Sequence, residues 1–88
     1  MEWTTNIVRG TVVKSKNGRD MGHEFIVFRV LDEKYVELVD GKRRTLACPK
    51  KKQIKHLWTT NTVYDLNDVT LDAHVRRLLA NYVQRKEP

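Results

Sequence analysis

Residues 24–31, EFIVFRVL, are apolar on both sides of an extended backbone. Side chains alternate between the two faces of a strand, so Phe25 and Val27 point one way and Ile26, Phe28 and Val30 the other. The run is too short for a typical helix, and its β-branched and aromatic residues suit a strand. Each of its faces therefore needs cover. A chain of 88 residues makes one domain with a single modest core, so that cover has to come from few neighbouring elements.

The flanking segments read as further short strands. Residues 6–16 alternate weakly around Ile7, Val8, Val12 and Val13 and are entered through Gly10. SKNGRDMG, residues 15–22, places Gly18 and Gly22 around polar residues and reads as an inter-strand loop. After a turn at residues 32–34, Tyr35–Val39 forms a third strand. Asp40-Gly41 is a strong hairpin signal leading to a fourth strand near residues 43–47. A two-residue loop there sets Glu37 opposite Arg44. Pro49 interrupts the pattern, Lys50–Lys52 make a basic knuckle, and residues 53–58 form a fifth strand anchored by Ile54 and Leu57. Short strands with Gly-rich turns suggest a mainly β fold, a small closed barrel.

The C-terminal segment changes period. Leu71, Val75, Leu78, Leu79 and Tyr82 make one helical stripe, predicting an amphipathic helix over 70–86 that covers one face of residues 24–31. Thr70 is the expected N-cap, Asp72 and Arg76 are spaced for an ion pair, and Arg85 and Lys86 suit the negative end of the helix dipole.

Charge is placed rather than spread. Residues 1–57 hold 13 basic and 7 acidic side chains, whereas residues 58–88 hold 4 of each, so the whole net charge of +6 lies in the first part. Residues 41–57 carry seven Lys or Arg and no acid. A concentrated cationic surface on a small β scaffold points to a polyanion, and in a cytosolic protein most commonly to RNA. The sequence has neither a signal-peptide pattern nor an apolar run approaching a membrane span, and its only cysteine, Cys48, precludes an intrachain disulfide. A cytoplasmic protein is the expectation.

Residues 10–41, GTVVKSKNGRDMGHEFIVFRVLDEKYVELVDG, resemble a KOW motif: an apolar strand, a G-x-x-x-G loop (Gly18 and Gly22), a second apolar strand, and a third ending in Val39-Asp40-Gly41. PKKKQIKHL, residues 49–57, is similar to the continuation in bacterial KOW-domain RNA-binding proteins, which resemble the KOW-type large-subunit ribosomal proteins of archaea and eukaryotes. The resemblance covers residues 6–58. A third glycine common in such motifs is absent, Phe25 standing in that neighbourhood, and the helix of 70–86 is not part of the motif. The resemblance implies an SH3-like barrel that binds RNA on or near the ribosome, in a role linked to translation, with ribosomal proteins as further neighbours.

Candidate RNA contacts follow from charge and loop position. They are Lys14, Lys16 and Arg19 at the glycine loop; Lys42, Arg43 and Arg44 at the hairpin tip; and Lys50, Lys51, Lys52, Lys55 and His56 in the knuckle. Gly18, Gly22 and Gly41 serve the turns, and their backbone N–H groups can approach a phosphate. Trp58 and Tyr35 are candidate stacking platforms. Trp58 and Trp3 compete with Phe25 and Phe28 for the core, and core is the better reading for both Phe residues.

Catalysis has little support. Ser15 is the only serine and has no histidine partner nearby in sequence. His23, His56 and His74 are dispersed without metal-ligand spacing, and Cys48 reads as an inert thiol. No enzyme activity, metal, cofactor or membrane contact is expected. Two rival readings remain: a protein-interaction SH3-like module that docks through the neutral helix, and a small enzyme using Cys48 or a histidine.

Overall fold

The computed structural model describes residues 7–86, with side chains as far as residue 84. Asn6, Trp3 and the side chains of Arg85 and Lys86 lie outside that description. Five strands, β1 (Thr11–Ser15), β2 (Glu24–Val30), β3 (Tyr35–Val39), β4 (Lys50–Gln53) and β5 (Leu57–Val63), are followed by one helix, α1 (Asp72–Lys86). They form one antiparallel sheet in the order β4-β3-β2-β1-β5. No described helix is long and apolar enough to cross a membrane.

The two-faced β2 organises everything else. Phe25 and Val27 join Ile7, Val13, Val36, Leu38 and Leu57 in one cluster, with Ile54 packed against it. Ile26 joins Val12, Val39, Leu66, Val75 and Tyr82 in a second, against which Phe28, Leu46, Leu78 and Leu79 pack. In place of a single core, the sheet therefore separates two apolar layers. The first layer lies on one face of the sheet, and α1 covers the second. Each face of residues 24–31 is covered as its sequence requires, except at its end, where Val30 and Leu31 are exposed. The register steps from Val27↔Leu38 to Arg29↔Glu37, which leaves Phe28 without a partner in β3. This bulge reverses the alternation, so Val30 pairs with Val36 instead of following Ile26 onto the helix-covered face, and it is 42% exposed.

Strand β4 departs from the sequence reading. Residues 43–47 form no strand, and the connection from Asp40 is no two-residue hairpin. Asp40 explains why. Its Oδ1 accepts the amides of Lys42 and Arg44 at 2.8 and 2.9 Å, while the carbonyl of Arg44 accepts the amides of Asp40 and Gly41. These groups close a turn on themselves and leave nothing for a ladder. Cys48 N–H then returns to Thr45, and pairing resumes at the three lysines, with Leu38↔Lys50 and Glu37↔Lys51. Glu37 thus faces Lys51 and not Arg44, and it pairs laterally with Arg29 at 3.2 Å. The basic knuckle is itself the edge strand.

The expected fifth strand at 53–58 is also displaced. Ile54–His56 make a turn of 3-10 helix, and β5 starts only at Leu57. That turn bridges the two edge strands: Ile54 N–H donates to the Lys34 carbonyl at 2.8 Å, and the His56 carbonyl accepts Lys16 N–H at 2.9 Å.

Helix α1 buries Val75 and Tyr82 as the stripe predicts, but Leu71 precedes the helix and is exposed. Thr70 is not the cap. The His74 imidazole reaches back from the first turn, and its Nδ1 accepts the amides of Thr70 and Leu71 at 3.2 and 3.4 Å. The expected Asp72–Arg76 pair is replaced by two contacts to the 40–49 connection. Asp72 Oδ1 accepts Leu46 N–H at 2.8 Å, and Arg76 Nη1 donates to the Gly41 carbonyl at 2.6 Å. The helix start therefore fixes the basic loop.

Candidate nucleic-acid interface

The antiparallel register brings the glycine loop and the 40–49 connection to one end of the sheet. There β1 ends, β2 begins, β3 ends and β4 begins, and Ser15↔Leu57 brings the start of β5 to the same end. The left-handed backbone at Gly18 (φ 78°) and Gly22 (φ 82°) turns the loop, and a Cβ at either would meet no atom within 4 Å. Asn17 Nδ2 donates to His56 Nδ1 at 2.8 Å, tying the loop to the 3-10 turn.

At this end the cations divide into paired and unpaired. Lys50 is bonded to Asp20 at 2.5 Å. Lys14 lies 3.8 Å from Glu24, its cross-strand partner, an ion pair of little energetic weight at the surface. By contrast, Arg19, Lys42 and Arg43 are exposed and have no acid within ion-pair distance among the described residues. These three line an open cleft of about 530 Å3 together with Asp20, His23 and Asp40.

The Asp20 carboxyl is held below its ordinary pKa, first by the hydrogen bond from Lys50 and then, against some burial, by the charges of Lys50, Lys52 and Arg44. Arg44 and Lys52 thus contribute to the same positive field. On β4, side chains alternate: Lys50 and Lys52 lie on the face of Val36 and Leu38, and Lys51 lies on the face of Tyr35. Lys50 and Lys52 are half-buried on the face of the first apolar layer, and lysines on an edge strand also protect it from pairing with another chain. Burial pushes the Lys52 ammonium below its usual range, and the neighbouring Lys50 adds to this. Lys51 sits 4.6 Å over the Tyr35 ring. The knuckle is therefore not one surface: Lys50 and Lys52 belong with the cleft, and Lys51 does not.

Lys16 and His56 are joined through the backbone bond described above, and Lys55 is exposed between the two edge strands. Trp58 lies opposite Lys14 on the outer sheet face and is 50% exposed. Phe25 is buried and Phe28 half-buried, with Arg9 and Arg29 against the Phe28 ring. Ser15 is buried, with its hydroxyl donating to the Asn17 carbonyl, so it presents no nucleophile.

Two residues absent from the sequence-level set shape the cleft. Asp40 is 3% exposed, and its Oδ2 lies 2.8 Å from His23 Nε2. Burial raises its pKa, but the amides of Arg44 and Lys42 and the His23 hydrogen bond outweigh this and hold it below the usual carboxylate value. The Val-Asp-Gly triplet signals a structured turn but not its histidine partner, which lies in another loop.

The depressed pKa values of Asp20 and Asp40 fix the sign of the pH dependence. The unfolded carboxyls titrate near pH ~3.9, so their stabilisation is complete above that value and lost as pH falls through the lower folded values. Unfolding free energy measured by urea titration should therefore fall on acidification below about pH 4. Asp40→Ala, which leaves two backbone amides without their acceptor, should cost about 2–3 kcal/mol at neutral pH and make the acid limb shallower.

Comparison with protein-family models and with curated proteins gave no match to this chain.

Proposed function

We propose that the chain is an SH3-like barrel of the KOW type that binds RNA without catalysis, capturing phosphates at the glycine-loop end of the sheet. The observation that carries this reading is the cleft lined by Arg19, Lys42 and Arg43, cations without acid partners, beside the field of Arg44, Lys50 and Lys52. Cations held close together by a folded scaffold neutralise adjacent phosphates and release their counterions, which makes affinity steep in salt.

Barrel closure is supported by the 3-10 turn that spans the two edge strands and by the first apolar cluster, to which β1, β2, β3 and β5 all contribute. Lys16, Lys55 and His56 extend the basic end toward Trp58, a platform on which an unpaired base can stack. A ribosomal or otherwise structured RNA in the cytoplasm is the partner that fits the motif. The rival docking role for α1 loses support, because the helical stripe is already used: Val75 and Tyr82 are buried in the second apolar layer.

The direct test is crosslinking in cells with sequencing of the RNA recovered on the chain. A reproducible RNA class, enriched over its cellular abundance, is expected. Recovery of the chain without crosslinked RNA contradicts the reading.

A further inference from the structure

The cleft contains one group whose chemistry differs from that of its cations. The His23 ring is half exposed, packs edge-on against Phe25 with centroids 4.8 Å apart, and is anchored only through Nε2. The anchor is the Asp40 carboxylate, which is acceptor-only, so Nε2 carries the hydrogen of that bond. In the neutral imidazole the lone pair then belongs to Nδ1, and no described group satisfies it. Asp40 is in turn fixed by the Lys42 and Arg44 amides, so the ring has a set tautomer on a rigid support.

Around it stand Arg19 from its own loop and Lys42 and Arg43 from the facing one. The acids there are already engaged, Asp20 by Lys50 and Asp40 by the turn and by His23 itself. An imidazole acceptor thus sits within a ring of phosphate-binding donors. In a polynucleotide, the donor that lies within one nucleotide of a phosphate and distinguishes RNA from DNA is the ribose 2′-hydroxyl.

We propose that the cleft between the glycine loop and the 40–43 turn is a ribonucleotide subsite: Arg19, Lys42 and Arg43 hold a backbone phosphate, and His23 Nδ1 accepts the hydrogen of the adjacent 2′-hydroxyl. His23 is a specificity-determining residue, positioned by Asp40. This rests on the RNA-binding reading and narrows it from charge capture to discrimination of the sugar.

The test compares single-stranded oligonucleotides of one sequence carrying 2′-hydroxyl, 2′-deoxy or 2′-fluoro sugars, bound to the full chain at fixed salt near neutral pH and read by fluorescence anisotropy. The 2′-fluoro strand keeps the ribose-like pucker and lacks the donor. The hydroxyl strand should bind roughly five- to tenfold tighter than either analogue, the worth of one hydrogen bond. His23→Phe keeps a ring against Phe25 and removes the acceptor. It should bring all three affinities together, with folding checked by circular dichroism. Tight binding that is equal for the three sugars, or a preference that survives in His23→Phe, overturns the subsite and leaves RNA binding standing. Failure of the wild-type chain to bind any of the strands overturns both.

Discussion

Gly10→Ala is expected to bring the domain close to unfolding. Gly10 has φ 97°, donates its amide to the Val27 carbonyl at 2.8 Å, and accepts Tyr64 N–H at 2.9 Å, so it is pinned between β2 and the end of β5. An added Cβ would lie well inside contact distance of the Tyr64 carbonyl oxygen and 3.1 Å from its carbon. Both are backbone atoms, and they can move only if the β1–β5 pairing opens. Positive φ alone costs an alanine about 1–2 kcal/mol. With the overlap, a loss of about 4 kcal/mol or more is expected, a large part of the stability of a small domain. Gly18→Ala provides the contrast, with similar φ but no atom within 4 Å of the new Cβ, and should lose only about 1 kcal/mol. Chemical denaturation of the two variants measures the difference. Equal losses would mean that the close approach at Tyr64 does not constrain the fold.

The second large effect is on affinity. Replacing Arg19, Lys42 and Arg43 together with Gln removes the three unpaired cations of the cleft, and none of them holds another part of the molecule through its side chain. The fold should survive unchanged. Affinity for single-stranded RNA should fall at least about tenfold at moderate salt, and the salt exponent should shrink by about 2, near 0.7 for each phosphate that is no longer neutralised. Anisotropy titrations at several salt concentrations check both. The alternative of substituting Lys50–Lys52 is less clean, because Lys50 bonds Asp20 and both Lys50 and Lys52 are half-buried. A loss of binding there would mix charge with packing. Undiminished affinity in the Arg19, Lys42, Arg43 variant would exclude this cleft as the site.

These contrasts show where sequence is informative. Period and composition reveal β2, the turn glycines and the buried stripe of α1, because each depends on side chains that repeat at a fixed spacing. Strand β4 is not legible in this way. KKKQ has no apolar alternation, since an edge strand takes its place through backbone pairing while its lysines reach past the core. Residues 43–47 mislead for the opposite reason: two carboxylates, Asp40 and Asp72, capture the Arg44 and Leu46 amides and withdraw them from a ladder. The charge of the site is plain from the run at 41–57, but its division is not. That Lys50 is neutralised by Asp20 and that His23 meets Asp40 depend on contacts between separate loops. Likewise Asp72 and Arg76, which look like a helical pair, serve to hold the basic loop.

On the proposed function, folded and unpaired charge at one end of the sheet binds RNA phosphates. The most direct measurement is the dissociation constant of the wild-type chain for a single-stranded RNA across about 50 to 200 mM salt. A linear loss of affinity on logarithmic axes is expected, with an exponent of about 2 or more, corresponding to at least three neutralised phosphates. An affinity indifferent to salt, or no RNA binding even at the low end, would contradict it.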